Sequence, residues 1–148
     1  MLVVCLGNED RQDDAIGPHL GKFLQQKNLP GIEVVIVRDD PTPLADALRG
    51  HPRIVILDAI PGEQPGRVHC VRAEDVKTRL PSALSSHGIN ILDFIRTVAA
   101  LEGSPKQIYI LAIEGRHFGF GPLSPSLQAR LPEIQSQVLH HLTTLQTP

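Results

Sequence analysis

The chain has 148 residues, enough for one domain and too short for two of ordinary size. Its hydrophobic fraction of 41% supports a real core, but with aromatics at 3% and no Trp that core must be aliphatic. A formal net charge of -2 without a block of like charges argues against a nucleic-acid binder, and no apolar run is long enough to span a membrane.

Leu2–Leu6 is a continuous, Val-rich apolar run that stops at the turn signal Gly7-Asn8. It reads as a buried parallel strand and not as a signal peptide. Residues Glu9–Asp13 are polar and read as loop. From Asp14 to Lys27 the apolar positions Ile16, Leu20, Phe23 and Leu24 recur at helical spacing. Pro18 is tolerated only in a first turn, which places the helix start just before it. Ile32–Val37 is a second strand, and Leu44, Ala47 and Leu48 suggest a short helix after Thr42. Ile54–Leu57 is a third buried strand that ends at Asp58.

A Pro/Gly-rich loop, Pro61–Gly66, follows. Arg67–Arg72 then alternates polar and apolar residues, as an edge strand with one wet face does. Ala73–Leu80 suits a short helical turn, and Ser85–Asn90 is loop or helix start. Ile91, Leu92, Ile95, Val98 and Ala99 form a helical stripe. Ile108–Ile113 is the last buried strand, and Glu114–Pro125 reads as a long, exposed loop. Leu127–Leu145 closes the chain as an amphipathic helix that Pro132 bends or delays. Strands alternating with helices predict a three-layer α/β/α sandwich, one domain over 1–148, with a mixed sheet.

Ligands in open α/β sheets bind outside the carboxyl ends of the strands. Polar groups follow those ends here: Gly7–Asp14 after the first strand, Asp58 after the third, and Ser85-Ser86-His87-Gly88 before the long helix. With the usual winding, Asp14, Asp58 and His87 converge on one crevice as a divalent-metal set with open positions. Each has a plainer reading. Asp13 or Asp14 suits a helix N-cap, Asp58 an Asx turn, and a lone His is more often a satisfied polar residue than a ligand.

Other chemistries fit poorly. The acids between Gly7 and Gly17 would repel a phosphate, and there is no GxGxxG, GxSxG or HExxH. Cys5 and Cys70 fall in apolar strands and read as small buried hydrophobes. His117 reads as an exposed loop residue, and His19, His51, His140 and His141 as surface groups.

Taken in order, three segments resemble the signatures of the hydrogenase maturation protease family. They are Leu2–Asn8 with Asp13–Pro18, Ile56–Ala59 with the loop to Gly66, and Ser85–Gly88 with Leu92 on the following helix. The resemblance implies a three-layer fold around a five-stranded, mostly parallel sheet of the phosphorylase/hydrolase-like type. It implies that Asp14, Asp58 and His87 contact metal and carry catalysis. It implies an aspartic-type or metal-dependent endopeptidase of the cytoplasm, monomeric and independent of nucleic acid and membranes. Its partner would be a [NiFe]-hydrogenase large-subunit precursor, whose C-terminal extension is removed after nickel insertion. The nickel would arrive with the substrate, another divalent metal being the alternative for the isolated protein. A maturation chaperone of the same fold, binding metal without catalysis, is the competing function.

Overall fold

Strand burial in this chain sorts by position in the sheet. Residues 1–147 are described by a computed structural model. In chain order the elements are β1 (Leu2–Leu6), α1 (Ile16–Lys27), β2 (Glu33–Val37), α2 (Thr42–Ala47), β3 (Arg53–Pro61) and β4 (Val68–Arg72), then α3 (Val76–Arg79), α4 (Ser86–Glu102), β5 (Gln107–Gly115) and α5 (Pro125–Gln146). Single 3-10 turns at Gln12–Ala15 and Ala73–Asp75 lead into α1 and α3.

The sheet order is β2-β1-β3-β5-β4. All neighbours are parallel except β4, which runs antiparallel to β5 at one edge. That is the mixed sheet and the wet edge strand expected from Arg67–Arg72. Central β1 is fully buried along its length, as a strand covered on both faces must be. One face packs Val3, Cys5, Val55, Leu57, Leu111 and Ile113 against α1 and α5. The other packs Leu2, Val4, Ile54, Ile56, Ile60 and Ile110 against α2, α3 and α4. Both layers are almost wholly aliphatic, so truncating a fully buried residue such as Leu57 to Ala should cost about 2–5 kcal/mol.

The caps follow ordinary chemistry. The Ser85 hydroxyl accepts the Gly88 N–H at the start of α4, which is worth about 1 kcal/mol. Gly103 ends that helix in the left-handed conformation, φ +63°, with Ser104 N–H reaching back to Ala99 O.

Three boundaries differ from the sequence reading. β3 does not stop at Asp58, because Asp58 through Pro61 continue to pair with Ala112 through Gly115 of β5. β5 likewise runs on through Glu114 and Gly115, which are buried rather than loop. α5 is continuous from Pro125 across Pro132, so the proline does not delay its start.

Candidate functional site

β1 connects to β2 on one side of the sheet, while β3 lies on the other. The crevice therefore opens between β1 and β3, at the point where the winding reverses. β1 stops at Leu6 while β3 runs on to Pro61, so Asp58 stands just past the last β1–β3 pair, Cys5 with Leu57. Its side chain shares the α4 face with Ile56 and Ile60.

Asp14 reaches the crevice from the 3-10 turn after β1. Its Oδ2 accepts the Asn8 N–H at 2.8 Å. It is therefore not a cap of α1, which has no side-chain cap bond. A close approach builds this corner: a Cβ on Gly17 would lie 1.7 Å from the Leu6 carbonyl oxygen, so α1 can dock on the end of β1 only with glycine there. His87 comes from the first turn of α4. Asp14 and His87 line the same crevice, of about 300 Å³, with Gly7, Asn8, Arg11, Arg38, Asp39 and Asn90.

Asp58 sits behind them, 1% exposed. Its Oδ1 accepts the Ala59 N–H at 3.0 Å and its Oδ2 accepts the Ser85 hydroxyl at 2.8 Å. A Cβ on Gly88 would press to 2.8 Å from that Oδ2, so glycine gives the carboxylate its place against the start of α4. Burial pushes the Asp58 carboxyl up to about 7; the Ser85 bond pulls it down and the Asp14 charge raises it again.

The Nε2 of His87 is buried and has no hydrogen-bond partner among the described residues. Such an atom normally finds one, and here it belongs to a residue that lines a crevice shared with a carboxylate. No three His, Cys, Asp or Glu side chains among the described residues stand close enough to form a ready-made metal cage. The arrangement instead puts two of these groups, Asp14 and His87, on the crevice and the third, Asp58, buried behind them.

Asp13 orients a loop rather than capping a helix. It is fully buried, and its Oδ2 accepts the Arg116 and His117 N–H groups at 2.9 and 3.0 Å while Oδ1 accepts that of Ser124 at 3.2 Å. Burial alone would raise its pKa, but these bonds outweigh it and the net shift is downward. The segment after β5 is thus tied down at both ends, with Leu123 and Ser124 buried.

Cys5 and Cys70 are free thiols, and burial pushes the Cys5 thiol up to about 12, far from a nucleophile. His117 is exposed, as expected. Sequence reasoning gave no role to Ser85, although a serine three residues before Gly88 at a helix start is an N-cap signal. It also did not single out Arg38, which reaches the crevice from the end of β2 with nothing in its neighbours to mark it. A larger apolar groove of about 880 Å³ runs between α3 and α4, but none of the predicted site residues lines it.

The family model described as hydrogenase maturation protease matches residues 24–141. That span contains Asp58 and His87 and begins after Asp14. No curated protein matches significantly in sequence. Among solved structures, the [NiFe] hydrogenase maturation protease HybD from Thermococcus kodakarensis is similar at 28% identity, with a TM-score of 0.79 over 95% of this chain and 97% of that one. The hydrogenase maturating endopeptidase HybD from E. coli follows at 22% identity and a TM-score of 0.76, over 97% and 91% of the two chains. The endopeptidase HycI from Escherichia coli shares the fold at 19% identity and a TM-score of 0.68, over 91% and 86%.

Proposed function

This chain belongs to the hydrogenase maturation protease family, and we propose that it is the endopeptidase that removes the C-terminal extension of a [NiFe]-hydrogenase large-subunit precursor once nickel is in place. The observation that carries this reading is the buried Nε2 of His87, unpartnered among the described residues, on a side chain whose residue lines the crevice with Asp14. Imidazole nitrogen and carboxylate oxygen together suit a borderline cation such as nickel.

The nickel belongs to the substrate, and it acts as the mark that the precursor is loaded. Asp14 and His87 take hold of it from the crevice, and Asp58 supports them from behind. The ring of His87 offers its Nε2 lone pair in the tautomer that carries its proton on Nδ1. Fixing the nickel fixes the neighbouring scissile bond, which converts a random encounter into a positioned one. Water then attacks the carbonyl carbon. One proton passes to one of the two carboxylates, Asp14 or Asp58, and on to the leaving amine as the C–N bond breaks. The hydroxyl oxygen remains on the new C-terminus.

Two single variants test the assignment. Asp14→Asn and His87→Ala should each lower cleavage of nickel-loaded precursor by about a hundredfold or more, the scale of losing a group that acts on the reacting centre. Circular dichroism and melting should stay close to the parent. A His87→Ala protein that processes precursor at the parent rate would remove the assignment. Loss of nickel-dependent binding along with cleavage would fit it. Binding of precursor without any cleavage by the parent protein would favour a chaperone.

A further inference from the structure

We propose that the segment joining β5 to α5 is the docking surface for the folded precursor, with Phe120 as its anchor and Arg11 as the link from that anchor to the crevice. The occupant follows from the function proposed above; the surface follows from independent observations.

Phe120 is 88% exposed. A phenyl ring left in water on a loose loop would be unremarkable, but this loop is stitched down. Beyond the bonds to Asp13, Gln12 N–H donates to Gly121 O and Gly121 N–H to Asp10 O, both at 2.9 Å. Gly119 N–H donates to Gln12 Oε1, also at 2.9 Å. The backbone that carries Phe120 is therefore held in one conformation while its ring is offered to solvent. A rigid, exposed aromatic is what an interface anchor requires, because little entropy remains to be lost on docking.

Arg11 joins this anchor to the chemistry. Its guanidinium lies 5.9 Å from the centre of the Phe120 ring and donates to Phe118 O at 2.9 Å. It also lines the crevice with Asp14 and His87. No carboxylate among the described residues pairs with this guanidinium, so the cation can meet one on a partner. Arg116, exposed in the same loop, adds a second positive charge. The complementary surface is an apolar pocket that takes the ring, rimmed by acidic side chains, and close to the nickel-bearing site of the precursor. Docking there would set the crevice over the scissile bond, which reserves cleavage for a folded substrate.

Leu101 supplies a matched control. It is 83% exposed but sits near the C-terminal end of α4, at the opposite end of that helix from His87. Affinity for nickel-loaded precursor and kcat/KM for its cleavage should be measured for the parent, Phe120→Ala and Leu101→Ala proteins, together with their melting temperatures. Phe120→Ala should weaken binding and lower kcat/KM by about tenfold, as loss of an anchor does. Its melting temperature should stay unchanged, since the ring is exposed. Leu101→Ala should match the parent. Parent-like binding and cleavage by Phe120→Ala would overturn the proposal while leaving the peptidase standing, and so would an equal loss in Leu101→Ala. A parent protein that neither binds nor cuts the precursor would remove the functional reading, and the docking assignment with it.

Discussion

Burial and the Asp14 charge hold the Asp58 carboxyl near 7, against an ordinary value of 3.8. The folded state therefore prefers this group protonated, and ionising it costs stability. That cost is absent below pH 4, grows between pH 4 and 7, and is complete above pH 7. Asp58→Asn should accordingly stabilise the protein by about 4 kcal/mol at pH 8 and hardly at all at pH 4, while abolishing cleavage. Urea melts of both proteins at the two pH values would check it; equal stability at pH 8 would contradict it. Asp13 behaves oppositely. Its folded pKa is depressed, so the stability it supplies is present above pH 4 and lost as pH falls through that lower value. Asp13→Ala would strip partners from three backbone N–H groups and should cost about 3 kcal/mol at pH 7, read by denaturant melts. At this scale the sequence is informative where chemistry and position coincide. Strand-end and helix-start positions make Asp14, Asp58 and His87 candidates beside plainer readings, the family resemblance selects the metal-contact reading, and the fold sets Asp14 and His87 on one crevice with Asp58 behind it. Ser85 and Gly88 were not assigned, because their roles, a hydroxyl shared between a helix cap and a carboxylate and an absent Cβ, exist only once α4 is laid against β3.

The elements themselves were mostly legible, since a Val-rich run and a helical stripe announce their periods. Errors fell where a polar residue interrupts an apolar run. Asp58 looked like the end of β3, yet the strand continues because β5 pairs with it as far as Gly115. Glu114 looked like the start of a loop, yet it is buried. Its carboxylate meets His69 Nε2 at 2.6 Å and accepts the Gln64 N–H at 3.1 Å. Burial would raise the Glu114 pKa, but the His69 bond and its companions bring the net shift down. No local pattern reveals that partnership, because the two residues lie on strands distant in sequence. α5 makes a different point. Pro132 lies in its interior, where it removes a hydrogen bond and crowds the preceding turn. It is exposed, so nothing else depends on its ring. Pro132→Ala should raise stability by about 1–3 kcal/mol without altering cleavage, and a thermal melt of that variant is the check.

For the molecule as a whole, these carboxyls pull against one another. Asp13 holds the segment after β5 and Glu114 holds Gln64 and His69, and both weaken in acid, whereas Asp58 is tolerated best when protonated. Stability should therefore peak on the acid side of neutrality, at about pH 5. In Asp58→Asn the peak should broaden toward higher pH, which a series of melts across pH 3 to 9 would show. The same tension describes the design of the site. A buried acid and an orphaned imidazole are liabilities in the free protein, and the proposed delivery of a cation by the substrate would relieve them. Among the described residues no helix is long and apolar enough to cross a membrane.

The most direct measurement offers the purified protein a nickel-loaded large-subunit precursor and the same precursor without nickel, and reads the C-terminus of each by mass spectrometry. Loss of one defined C-terminal peptide is expected from the loaded form alone. Equal cleavage of both forms would contradict the nickel gate, and an intact C-terminus on a bound, loaded precursor would contradict the peptidase.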